Sequence, residues 1–327
     1  MQLVYISNRP EILSQTLVHV SRHMEFIDSI MIVCPAVYRT SFNVPDRLSV
    51  LIVPEEKLLP ATAQTTFAKL DHTSKNYLLR TAMLELQDLD PEFIMSDDDS
   101  RPLRTVCLAD FKADEKYQGY FFFDLALWNY CRTDFDRGQR VTNVLLQYHG
   151  MEHLSYASHM PQIINRDIFR EAASFFHEPA KKYPLCEWSI YFNFGRQQYP
   201  DRFLPPRPFR TLCWPSHPGT WPYYVRPEAV LFENYYPELY EKNGIFADLP
   251  ELPAPEEADH VTIEKMVRMA DMEAGRMQFQ LVSTDPWRKK SLGHRLASIT
   301  GKQLRKLLSV ILIEERSSLL QLRRERE

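Results

Sequence analysis

A chain of 327 residues, 44% hydrophobic and 12% aromatic, carries enough apolar mass for one large core, or one core with an appendage. Its charged fraction is ordinary and its formal net charge is only −4, which excludes wholesale disorder and the basic footprint of a general nucleic-acid binder. The five cysteines, Cys34, Cys107, Cys131, Cys186 and Cys213, include no C-x-x-C pair, so neither a disulfide framework nor a structural zinc site is expected. The opening MQLVYISNRP lacks the basic-then-apolar layout of a secretion signal, and no apolar run reaches the ~20 residues of a bilayer span. The expected location is cytosolic.

Leu3 to Ser7 predicts a short buried strand. Pro10 sits where a first helical turn tolerates it, and helical apolar spacing continues from Glu11 to His23. Ile27 to Val33 and Leu48 to Val53 predict the next two strands. Asn76 to Leu86 predicts an amphipathic helix, and Glu92 to Met95 a fourth strand. This alternation indicates an α/β domain with a mainly parallel sheet flanked by helices. The aromatic run YQGYFFFDLALWNY reads as a strand running into a helix, and Val141 to Leu146 as helix. Met160 to Ile164 then predicts a strand, with helices over Arg166 to Phe176 and Glu187 to Phe194. A loop rich in proline and aromatics follows from Tyr199 to Pro227, and ADLPELPAPEEAD is the clearest linker. Helical patterns over Val261 to Met277 and Lys302 to Arg324 predict a C-terminal helical appendage. The expected organisation is a catalytic domain over 1–250 (halves 1–105 and 106–250), a linker over 251–260 and the appendage over 261–327.

Ligands in parallel sheets bind at the carboxyl ends of strands. Two polar stretches fall at such ends: SNRP, holding Ser7, Asn8 and Arg9, and SDDDS, holding Asp97, Asp98 and Asp99. Three adjacent carboxylates repel one another unless something positive offsets them. In an extended exit, Asp97 and Asp99 share one side and Asp98 points away. Two carboxylates on one side suit a divalent cation, Mg²⁺ or Mn²⁺, that completes its shell with substrate phosphates and water. The alternative is an acidic turn capping RPLR and paired with Arg101 or Arg104. Carboxylates and imidazoles are also the side chains that serve as general bases. Glu187 is the first candidate, at a predicted helix start where the helix dipole also explains it as a cap. Asp167 and Glu171 are weaker rivals.

The stretches LVYISNRPEIL and FIMSDDDS resemble the nucleotide-binding half of a GT-A-type glycosyltransferase, with its Asp-x-Asp motif after an apolar strand. SHMPQIINRDIFREA and CEWSIYFNF resemble the acceptor half, with a likeness to bacterial capsule and O-antigen enzymes and to Stealth-type sugar-phosphate transferases. The resemblance spans about residues 1 to 225. It implies a metal-dependent transfer of a sugar from a nucleotide diphospho-sugar to a glycan or lipid-linked glycan. It also implies that Asp97 meets the ribose or a metal-bound water and that Asp99 ligates the metal, with Asp98 replacing either if the register shifts. Ser7, Asn8 and Arg9 would line the nucleotide pocket. Lys75, Asn76 and Arg80 would reach the diphosphate or sugar, the alternative for Lys75 and Arg80 being a solvated helix face. His217 fits a third metal ligand, and His159 would meet acceptor or phosphate. His294 belongs to the appendage. Two other readings stay open: a Stealth-like sugar-1-phosphate transferase, and a non-catalytic nucleotide- or sugar-binding scaffold. The tail, apolar at helical spacing with basic residues at both ends, suits peripheral contact with an anionic membrane or pairing in a homo-oligomer.

Overall fold

The computed structural model describes residues 1–59, 61–128, 131, 133–212, 230–237, 240–242, 264, 267 and 268. These all belong to one unit, Met1–Met272. The expected linker, the helix over Lys302 to Arg324, His217 and His294 lie outside the described residues, and so does the helix over Val261 to Met277 apart from Glu264, Val267 and Arg268.

β1 (Gln2–Ile6) leads into α1 (Pro10–His23), which opens on Pro10; the charges of Glu11 in its first turn and Arg22 in its last suit the two ends of the helix dipole. β2 (Ser29–Cys34), β3 (Ser49–Pro54), α2 (Ala61–Ala68), α3 (His72–Ala82) and β4 (Glu92–Ser96) follow. α3 begins four residues before the sequence pattern suggests, because Asp71 caps it, accepting from the Ser74 amide at 2.9 Å. The last turn of the predicted helix is a 3-10 turn, Met83–Glu85.

β5 (Ser100–Pro102) comes directly after the Asp cluster. The aromatic run is not a strand and a helix. β6 (Lys112–Ala113) and β7 (Lys116–Tyr117) lead into it, and its described residues are broken into β8 (Tyr120–Phe121), β9 (Phe123–Asp124) and a 3-10 turn, Leu125–Leu127. Non-local bonds impose this. The Gln162 side chain accepts from the Tyr120 amide at 3.1 Å and donates to its carbonyl at 2.7 Å. α4 (Asp134–Tyr148) starts on a reciprocal Thr133–Asp136 capping box and is longer than its apolar stretch. β10 (Leu154–Ser155), β11 (Gln162–Asn165), α5 (Arg166–Phe175), α6 (His177–Ala180) and α7 (Glu187–Gln198) complete the body. β12 (Arg207–Pro208), β13 (Thr211–Leu212) and β14 (Phe232–Asn234) are short.

The main sheet has the order β11-β4-β1-β2-β3. β4, β1, β2 and β3 are parallel, with Val4 beside both Met31 and Met95, and β11 is antiparallel at the edge, with Ile163 beside Ile94. β1, β2 and β4 are buried almost throughout, so they read as apolar runs rather than alternating strands. The fold is therefore α/β with a mainly parallel sheet flanked by helices. A smaller sheet, β13-β14-β5, sits just past the Asp cluster. No helix among the described residues is long and apolar enough to cross a membrane.

Candidate active site

β1 and β4 are neighbouring parallel strands, so the loops leaving their carboxyl ends emerge side by side. The Asp cluster is a tight turn, closed by the Ser100 amide on the Asp97 carbonyl at 3.2 Å, rather than an extended exit. Side-chain alternation therefore does not apply, and Asp98 does not point away. Ser7 Oγ donates to Asp98 Oδ2 at 2.6 Å, Arg9 Nε to the same oxygen at 3.1 Å, and Arg9 Nη2 bonds Asp98 Oδ1. Arg9 Nη2 also donates to Asp99 Oδ2 at 2.9 Å, and Asn234 Nδ2 to Asp99 Oδ1 at 3.2 Å. Thr16 Oγ1 and the Tyr235 amide hold the Asp98 and Asp99 carbonyls at 2.7 Å each. Asp97 faces the other way, pairing with Arg80 at 2.8 Å and with His159 Nδ1 at 3.5 Å.

The cluster is thus offset by Arg9 and Arg80, and Arg101 turns away from it. Arg101 is wholly buried, bonds Glu233 at 2.8 and 2.5 Å, and lies against the rings of Tyr235 and Tyr240, 4.0 and 4.8 Å from their centroids. Arg80 is buried as well, so it is not part of a solvated helix face. It ion-pairs Glu187, the first residue of α7, and its guanidinium lies 4.5 Å from the ring of Trp188. Lys75 lies over Phe67 at 5.5 Å.

These groups enclose one cavity of about 690 Å³, lined by Ser7, Asn8, Arg9, Lys75, Asn76, Arg80, Asp97, Asp98, Asp99, His159 and Glu187 among others. Apart from the two weaker base candidates, every site residue expected from the sequence is there except His217, which lies outside the described residues. Asp167 and Glu171 are not. They sit on α5, bonded to Arg170 and Tyr199. Sequence reading missed Trp188, Glu55 and Phe67 in the wall and Asn234 behind Asp99. Trp188 had a signal in its neighbour Glu187. Asn234 had none, being 135 residues from its partner.

Environment separates the carboxylates. Burial pushes Asp97 up, but Arg80 and then His159 outweigh it and leave the group below its ordinary value. Burial dominates at Asp98 and at Glu187, and both stay above the ordinary carboxylate value in spite of Arg9 and Arg80. Arg9, Lys75 and Arg80 face Glu55, Asp97, Asp98, Asp99 and Glu187 in the cavity, a formal excess of two negative charges with the histidines neutral.

A hard divalent cation suits that charge and those oxygens. As the side chains stand, however, each oxygen of the Asp turn faces a donor of the chain, and among the described residues no three ligand-type side chains form an ion site. The oxygens fit in type and charge, and Arg9 is bonded to those of Asp98 and Asp99.

No protein-family model matches the chain, and no curated protein matches it in sequence. Among the solved structures that the chain resembles in fold are two of galactosyltransferase LgtC. One, in complex with donor and acceptor sugar analogs, is 12% identical, with a TM-score of 0.42 over 80% of this chain and 95% of that one. The other, an active-site mutant of LgtC, is 11% identical with the same TM-score and coverage.

Proposed function

We propose that this chain is a GT-A-like glycosyltransferase that moves a sugar from a nucleotide diphospho-sugar to a glycan or lipid-linked glycan, as in bacterial surface polysaccharide synthesis. The observation that carries the proposal is the convergence, in one cavity at the carboxyl ends of β1 and β4, of an Asp turn, three cationic side chains and a buried carboxylate of raised pKa. A nucleotide at these strand ends meets the Ser7–Arg9 loop, and its diphosphate falls within reach of Lys75 and Arg80. Glu187 accepts the proton of the acceptor hydroxyl as its oxygen attacks the anomeric carbon and the bond from that carbon to the diphosphate breaks. A divalent cation, when bound, would neutralise the departing diphosphate. His159, on the Asp97 side, orients acceptor or phosphate.

The test is a panel of nucleotide-sugars screened by thermal shift with and without Mn²⁺, followed by product analysis. A ligand that binds the folded state alone raises the melting temperature. Release of a nucleoside diphosphate supports transfer of the sugar. A nucleoside monophosphate would mean that the phosphate travels with the sugar, as in a Stealth-like enzyme. Binding with no turnover of any donor, with acceptors supplied, would reduce the protein to a scaffold.

A further inference from the structure

Arg9 Nη2 touches Asp98 Oδ1 and Asp99 Oδ2 at once, the second at 2.9 Å. One positively charged point therefore sits between two carboxylate oxygens from adjacent residues, the position a small dication would take. Arg9 is also the donor best able to leave. Its side chain is 41% exposed, against 7% and 9% for Asp98 and Asp99 and 5% for Arg80. Its backbone is fixed, with its amide on Ser7 Oγ at 3.0 Å and its carbonyl accepting from Leu13 in the first turn of α1. The side chain can swing while the loop stays in place. Departure would free oxygens on both aspartates together and leave a guanidinium at the mouth of the cavity, where phosphates arrive.

Resting on the transfer reading above, we propose that Arg9 is a latch: it holds the cation's place in the ion-free protein, yields it to a divalent cation, and then pairs with the donor diphosphate. Ion and nucleotide then favour each other through one side chain, and the coupling is reciprocal.

Mn²⁺ binding to the full chain, titrated without nucleotide, tests this in Arg9→Gln and Arg9→Lys. Lysine keeps the charge but lacks the planar fork that spans two carboxylates, so it separates occupation of the site from simple repulsion. Both variants should bind Mn²⁺ about tenfold more tightly than the parent, and both should bind a nucleoside diphosphate with Mn²⁺ more weakly. Melting curves check folding, and Arg9→Lys alone carries the test if Arg9→Gln does not fold. Parental Mn²⁺ affinity in Arg9→Lys overturns the latch. Absence of Mn²⁺ binding in every form overturns it too. In that case nucleotide-sugar binding in chelator would leave the transfer reading standing, and its absence across the panel would sink both.

Discussion

Arg80 carries two carboxylates whose tendencies differ: Asp97 is held ionised, and Glu187 is pushed toward its protonated form. Titratable neighbours driven apart in this way are the usual mark of divided acid–base labour. Glu187→Gln should lower kcat by about 100-fold or more, with little change in the donor KM, because the lost interaction belongs to the transition state. The parent should lose activity as pH falls through a value above the ordinary carboxylate range, and this limb should vanish in the variant. Stability follows the same shift. A raised folded pKa makes Glu187 stabilising only at low pH, so its contribution declines as pH rises from the ordinary carboxylate value through the raised one. Urea denaturation across that window should show the decline in the parent and not in Glu187→Gln. Ser7–Arg9 and Asp97–Asp99 were legible in the sequence because each follows an apolar strand. The pairing of Arg80 with Glu187 was not, since the two lie 107 residues apart and only the packing of α3 on the body brings them together.

Elements were legible where period and caps agreed, as in α1 and β4. They were misread where tertiary contacts decided, as between Tyr117 and Trp128. There the chain bends beneath α7: a Cβ at Gly119 would lie 2.8 Å from the rings of Phe192 and Tyr156. α7 has the same constraint on itself, because a Cβ at Gly195 would lie 2.5 Å from Phe203. Gly195→Ala should therefore cost about 1–3 kcal/mol by overpacking, although alanine favours helix in general. Guanidinium melts of the two proteins would measure it. The β5–β14 pair is held by the buried Arg101–Glu233 bridge, in direct register. Glu233→Ala strands a buried guanidinium and should cost about 3–5 kcal/mol in the same measurement. A loss below 1 kcal/mol would mean that the two tyrosine rings suffice to hold Arg101.

For the whole molecule, the sequence conveyed the alternation that gives a parallel sheet, but not the reversal of β11 at its edge, since strand direction leaves no trace in apolar composition. The tail from Ser291 to Glu327 lies outside the described residues, and its apolar stripe with flanking basic groups motivates a separate proposal: that it touches an anionic membrane. Each basic group near such a surface contributes about 1 kcal/mol. Cutting the chain after Lys290 should leave donor hydrolysis intact and weaken transfer to a lipid-linked acceptor. Flotation with anionic liposomes at low and high salt is the direct check. A full-length protein that stays off them at low salt defeats the idea, and light scattering then tests for a second subunit on the stripe.

The contact of Asn234 with Asp99 sets an order of assembly. β1, β2, β3 and β4 are all translated within the first hundred residues and can pair early, but the Asn234 side chain that donates to Asp99 is made 135 residues after its partner. Closing so long a loop is slow compared with local pairing. On the ribosome, the nascent chain therefore carries a formed sheet with an incomplete Asp turn until Phe232–Asn234 emerges. Pulse-labelled hydrogen exchange during refolding should find the β1 amides protected before that of Tyr235, so that the Asp turn is completed only after the sheet beneath it.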